Sequence, residues 1–262
     1  MKVYPRYLPK AQSLFLVVMG ALLLVLPLPY SVISPGPTTN LLNGPITVAK
    51  SAISQSATAS PGTAASAGSL LSLTVYVSTP GSHLTAPLLA AAWMRGDEMV
   101  IPEEILYPHH EKTSQAVAQS KAEMDTSSQS AIAAAGNYLH RTISTRDVVV
   151  KLKDTGGPSA GLAFALAVVT KVGVPQLFAG HIVAATGTIS HTGEVGAIGG
   201  IDQKLIGAAR AHADAVFIPA DNCVDITRMP KGLRVIPVST LAQTISIMTS
   251  YSRTPTATLP HC

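Results

Sequence analysis

Apolar residues dominate the stretch from Leu14 to Leu28 (LFLVVMGALLLVLPL), and no charge stands between Ala11 and Ile33. The run is apolar on every side of a helix, which separates it from an amphipathic core helix. A bilayer core takes about 20 such residues as a helix, and Pro27 and Pro29 are expected to end it. Lys2, Arg6 and Lys10 precede the run, and the next basic residue is Lys50. By the positive-inside asymmetry, the amino end stays in the cytoplasm and the remainder is exported. A cleaved signal peptide is the alternative, but Pro27-Leu28-Pro29-Tyr30-Ser31-Val32 stands where a small-residue cleavage site would fall. The expectation is a basic segment over 1–10 followed by a transmembrane signal anchor over 11–33.

The pattern then weakens. Ser34-Pro35-Gly36-Pro37 reads as a rigid exit, Ile46–Ala49 as a short strand, and Ser51–Ser69 as a small-residue loop or linker. Leu70–Ser78 alternates loosely and predicts a strand. Thr85–Met94 predicts a short helix with Thr85 as its cap and Pro87 in its first turn. Gly96–Pro108 reads as a loop with a short extended piece. Lys112–Leu139 is helical in composition, as one bent helix or two, with an apolar face through Val117, Met124, Ile132 and Leu139.

From Asp147 the texture changes. Strands are expected over Val148–Leu152, Ile182–Ile189, Ala215–Pro219 and Leu233–Val238. Helices are expected over Ser159–Val172, from an Asp202 cap to Ala213, and over Thr240–Met248. Gly193–Gly200 reads as a glycine-rich turn. The alternation predicts an α+β (mixed α/β) domain over 140–250, preceded by an N-terminal extracytoplasmic region over 34–139 and followed by a tail over 251–262.

Composition agrees with a core-forming chain: 47% of the 262 residues are hydrophobic and 12% charged, so a disordered chain is excluded. Three positives lie in the first ten residues and the remainder is close to neutral, with no basic stripe and no call for nucleic acid. Cys223 and Cys262 are too few for a disulfide scaffold; export permits a bond between them, and a terminal cysteine can equally pair between chains.

Candidate chemistry begins at Gly156-Gly157-Pro158-Ser159-Ala160-Gly161, which joins a strand to a helix. Pro158 suits the first helical position, and places Ser159 in a first turn where free N–H groups and the positive dipole end gather. Such donors stabilise an oxyanion, while Gly156 and Gly157 admit a substrate backbone. The plain alternative is a helix-start serine. The same residues also fit the Gly-x-Ser-x-Gly elbow of α/β-hydrolases, but Pro158 sits badly in that turn and no His-Gly-Gly-Gly element precedes it.

A serine hydroxyl needs a base. Lys204 lies in the first turn of a helix of mostly small or apolar residues, where a cation is electrostatically misplaced. Desolvation there would favour the neutral amine that a general base requires; a snorkelling surface lysine is the alternative.

Gly157-Pro158-Ser159-Ala160-Gly161, followed by Gly199-Gly200-Ile201-Asp202-Gln203-Lys204 with Lys204 45 residues after Ser159, resembles the proteolytic domain of Lon proteases. The resemblance implies a Ser159–Lys204 dyad, with Thr186 of Thr186-Gly187 orienting the lysine and the Gly157 and Ser159 amides receiving the oxyanion. The chain is similar above all to the membrane-anchored, PDZ-containing Lon-like proteases of bacteria, through Gly156–Gly161, Gly187–Ile189, Val195–Lys204 and Pro219–Cys223. It departs from them between Leu139 and Asp147, where only His140–Arg146 stand and no PDZ domain fits.

No Gly-x-x-x-x-Gly-Lys-Ser/Thr occurs, so no ATP-driven unfolding is expected. No His-Glu-x-x-His or clustered Cys/His set occurs, so neither a metal nor another cofactor is called for. The expected function is a membrane-anchored, ATP-independent serine endopeptidase acting on exported or envelope polypeptides, with a homo-oligomeric ring implied by the resemblance. The alternative is a catalytically inactive envelope binding or scaffold protein.

Overall fold

The computed structural model of the chain describes residues 10–49, 68–108, 112–151, 156–253 and 259–262. The expected cytoplasmic charges Lys2 and Arg6, the small-residue segment 51–67, and Asp154 and Thr155 lie outside the described residues.

Helix α1 (Lys10–Val25) carries the apolar run, and Ala11–Leu22, Leu24 and Val25 are exposed. Its 16 residues reach about 24 Å at the helical rise. Among the described residues, no helix is long and apolar enough to cross a membrane. The structure corrects the extent of the expected anchor over 11–33: its helix ends at Val25, and Tyr30–Ile33 belong to a strand. Leu26 donates to Leu22 in the final turn, Pro27 and Pro29 follow, and from Tyr30 the chain enters a sheet.

That sheet has six strands in the order β10-β9-β6-β3-β1-β4. They are β1 (Tyr30–Asn40), β3 (Ser69–Val77), β4 (Met99–Pro102), β6 (Ile182–Ala185), β9 (Ala215–Pro219) and β10 (Arg234–Val238). Strands β3, β6, β9 and β10 are parallel; β1 runs antiparallel to β3 and β4. The expected exit Ser34-Pro35-Gly36-Pro37 is part of β1. Two prolines are tolerated there because the β1–β3 register shifts between Pro35 and Thr38, and a bulge releases amides from the ladder. Two further strands, β2 (Ile46–Val48) and β5 (Val148–Val150), form a separate antiparallel pair.

Alternation along the parallel strands fills two cores. Val183, Ala185, Ala215, Phe217, Ile236 and Val238 face one side, where α5 (Gly161–Val172) lies under α4 (Thr113–Tyr138) and α7 (Leu241–Arg253). Every residue of α5 except Lys171 is buried. That explains its run of Ala, Leu, Val and Phe without a polar face. Lys171 ends the helix by donating to the Leu42 carbonyl oxygen at 2.8 Å, and burial pulls its pKa down. Ala184, Val216, Ile218 and Val235 face the other side and meet α6 (Ile201–Arg210) through Ile201, Leu205 and Ala208.

α4 is one continuous helix. α2 (Ala86–Arg95) matches its expected extent, with Thr85 at the N-cap position, although no side-chain capping bond forms. The loop after it contains β4 and the short helix α3 (Glu103–Leu106). The strand expected over Ile182–Ile189 is two pieces, β6 and β7 (Thr188–Ile189), and β7 pairs with β8 (Val195–Gly196) inside the expected glycine-rich turn. The break falls at Thr186-Gly187. Asp202 is not the cap of α6: Gly200, at φ +66° in the left-handed region, holds that position. Between α4 and β5, His140–Arg146 form a tight link in which the Ser144 amide donates to Asp147 Oδ2. The expected division at residue 140 falls within a fold whose main sheet takes three strands from each side.

Candidate active site

The carboxyl ends of β6 and β9 lie side by side, and a parallel sheet opens its crevice at that edge. Two of the sequence candidates, Ser159 and Thr186, are joined there directly.

Ser159 occupies a 3-10 turn, Pro158–Ala160, that opens α5. Gly157 precedes it at φ +80°, ψ 162°, a conformation closed to side-chain-bearing residues. The turn is held from three directions. Thr186 Oγ1 donates to the Ser159 carbonyl oxygen at 3.1 Å, and the Gly187 amide donates to the same oxygen at 2.8 Å. The Gly187 carbonyl in turn accepts from the Leu162 amide at 3.0 Å. From the other side, α4 offers Ser127 Oγ, which donates to the Pro158 carbonyl at 2.9 Å, and the Ser120 carbonyl, which accepts from the Gly157 amide at 2.8 Å.

The Gly157 amide is thus engaged by α4, while no backbone bond from the Ser159 amide is formed among the described residues. Gly156 acts sterically: a Cβ there would come within 2.1 Å of Ser120 Oγ. Ser120 and Ser127 were not singled out as site residues in the sequence. Their seven-residue spacing, which puts two serines on one helix face, was the available signal.

Lys204 sits in the first turn of α6 and is 2% exposed, among the largest fully buried side chains. Burial pushes its ammonium down to about 7. No side-chain hydrogen bond among the described residues reaches its amine, and none joins it to Ser159. A buried charge without a partner is costly, so the surroundings favour the neutral base. Thr186, fully buried, is bonded to Ser159 rather than to Lys204.

The start of α6 is fixed by the segment after β9. Asn222, buried, clasps Ile198 through both its amide and its carbonyl at 2.9 Å. Asp202 accepts from the Thr227 amide at 3.1 Å and from the Thr227 hydroxyl. Cys223 of the same segment is bonded within the chain to Cys262, which settles the pairing left open by the sequence. Beside the nucleophile turn, a groove of about 330 Å³ runs between α4 and β7, lined by Glu123, Thr126, Ser127, Pro158, Thr188 and Ile189 among others.

The fold thus pins a serine at the start of α5 and buries a lysine in the first turn of α6. The chain matches the Lon protease (S16) C-terminal proteolytic domain over residues 116–249, just over half of its length, and belongs to that family. It is 38% identical over 106 residues to a Lon protease of Neorickettsia sennetsu, covering 38% of this chain and 12% of the relative. A Lon protease of Clostridium acetobutylicum is 42% identical over 78 residues (30% of this chain, 10% of the relative). One of Rhizobium meliloti is 39% identical over 95 residues (34% and 11%). The chain therefore spans about a tenth of the length of the curated relatives it matches.

Proposed function

We propose that the protein is an endopeptidase in which Ser159 is the nucleophile and Lys204 its base. The observation that carries this is the burial of Lys204, which makes an amine with a pKa near 7 available at neutral pH. Ser159 Oγ attacks the scissile carbonyl carbon and its proton passes to Lys204 Nζ. The Ser159 amide receives the oxyanion. Collapse breaks the C–N bond, and Lys204 returns the proton to the leaving amine. Water then attacks the acyl carbon and gives its proton to Lys204; the bond to Ser159 Oγ breaks as Lys204 returns that proton to it, freeing the acid and restoring the serine. Thr186 is a positioning residue that fixes the serine backbone. The direct Ser–Lys hydrogen bond forms as substrate arrives, since such contacts tighten in the Michaelis complex.

The chain carries no nucleotide-binding loop, and the proposed activity is ATP-independent, on flexible or partly folded polypeptides. α1 embeds in a membrane and tethers the peptidase, with Lys2, Arg6 and Lys10 on the cytoplasmic side and the catalytic domain outside. Substrates are then exported or envelope proteins. Assembly into a homo-oligomeric ring fits the resemblance to ring-forming relatives.

The test is cleavage of casein or a quenched fluorogenic peptide by the purified chain without ATP. Turnover by the wild type and none by Ser159→Ala or Lys204→Met is expected. Turnover surviving both substitutions would remove the dyad, and a folded but inert wild type would favour a scaffold.

A further inference from the structure

α2 has no polar side chain from Ala86 to Met94. Leu89 and Ala92 point into the fold, yet Leu88 is 53%, Trp93 78% and Met94 79% exposed. A helix this short that offers large apolar groups on its outer face needs something to cover them. The chain leaving α1 is stitched to the start of this helix. Pro27 bridges Thr85, the residue before α2, and the Leu28 amide donates to the Leu84 carbonyl at 2.8 Å. α1 and α2 are also in contact.

The character of α1 identifies the covering medium. Leu14, Phe15, Leu16, Val17 and Val18 are all more than half exposed, on five successive positions and hence on every side. A protein partner covers one face; lipid covers all of them. α1 is also short, about 24 Å against a hydrocarbon thickness of about 30 Å. A short span draws flanking apolar surface into the bilayer, and the flanking surface at its carboxyl end is α2.

We infer that the outer face of α2, through Leu88, Trp93 and Met94, lies in the interfacial layer of the bilayer and seats the peptidase domain on the membrane surface. The indole and thioether stand at the level where aromatic side chains collect. Arg95, ion-paired with Glu98 at 2.8 Å, marks the return to water. This rests on the tether reading of α1 but goes beyond it, since a tether alone leaves α2 in water.

Trp93 is the single tryptophan of the chain, so its emission reports this face alone. The full chain is reconstituted into dioleoyl-phosphatidylcholine vesicles, floated on a gradient, and compared with vesicles brominated near the glycerol end of the acyl chains. The expected result is flotation, loss of more than half the emission to the shallow bromines, and shielding from aqueous acrylamide. Flotation with Trp93 fully open to acrylamide and untouched by bromine overturns the seat and leaves the tether standing. Shielding from acrylamide without bromine quenching also overturns it, and points to a second copy on this face. Failure to float overturns the tether and the seat together. Leu88→Ser with Met94→Ser, both exposed and away from the catalytic groups, should leave peptide turnover unchanged while restoring acrylamide access to Trp93.

Discussion

The hydroxyl of Thr186 donates to the carbonyl oxygen of Ser159 across 27 residues of chain, so the end of a central strand grips the serine turn by its backbone. Thr186→Val keeps the shape and removes that donor. The Gly187 amide still holds the same oxygen, so the fold should lose about 1 kcal/mol. Peptide turnover should fall roughly tenfold in kcat, since small misplacement of a nucleophile is amplified in rate. Thermal melts and steady-state kinetics on the same preparation separate the two effects.

The Lys204 amine sets the acid limb of the rate profile. With its pKa lowered to about 7 by burial, kcat/KM should fall about tenfold per unit below that pH and level off above it. A midpoint near the ordinary lysine value would show that the base titrates in water. Lys204→Arg, which cannot give up its proton in this range, should abolish turnover.

Lys204 also tilts stability. Its pKa is about 7 when folded against the ordinary lysine value of 10.5, so between these values the unfolded chain holds more protons. Stability therefore rises with pH across that window, and the burial penalty is full below it. Lys204→Met should be at least as stable as wild type at pH 6 and should lose part of the rise toward pH 10. Urea titrations at several pH values, read as the difference between the two proteins, isolate this contribution from that of Lys171.

Gly157→Ala tests the turn without steric collision, because nothing lies within 4 Å of an added Cβ. The strain of φ +80° should lower stability by about 1–3 kcal/mol and suppress turnover. Ser127→Ala, which removes the bond to the Pro158 carbonyl, should cost about 1 kcal/mol with a smaller loss of rate.

The Cys223–Cys262 bond closes a 39-residue separation, and a cross-link of that span contributes about 4 kcal/mol by chain entropy. Cys262→Ser, or incubation with reductant, should lower the melting temperature. An unchanged melt would mean that the tail adds nothing to the folded state.

Much of the site was legible because it breaks local rules. A lysine among small and apolar residues at a helix start opposes ordinary preference, and such conflicts gather where chemistry occurs. The long helix α4 and the buried helix α5 were legible from their periodicity and uninterrupted apolarity. The errors were non-local. Asp202 looked like a cap, but its carboxylate is used 25 residues away, on Thr227. Ser34-Pro35-Gly36-Pro37 read as a rigid exit, and a register shift against β3 admits its two prolines to a strand. The grip of Ser120 and Ser127 on the Ser159 turn crosses 37 and 31 residues, so their shared helix face did not say what they would bond.

Strand β1 joins β3 and β4 in the main sheet and rests against α6, with the Gly36 carbonyl beside Gly207. The helix bearing the base thus leans on residues that precede the family-matched segment by some eighty positions. Maturation by clipping within Tyr30–Asn40 would not free an enzyme from a leader. It would remove a strand of the main sheet against which α6 packs, and the fragment left behind would lose a support of the helix that carries Lys204.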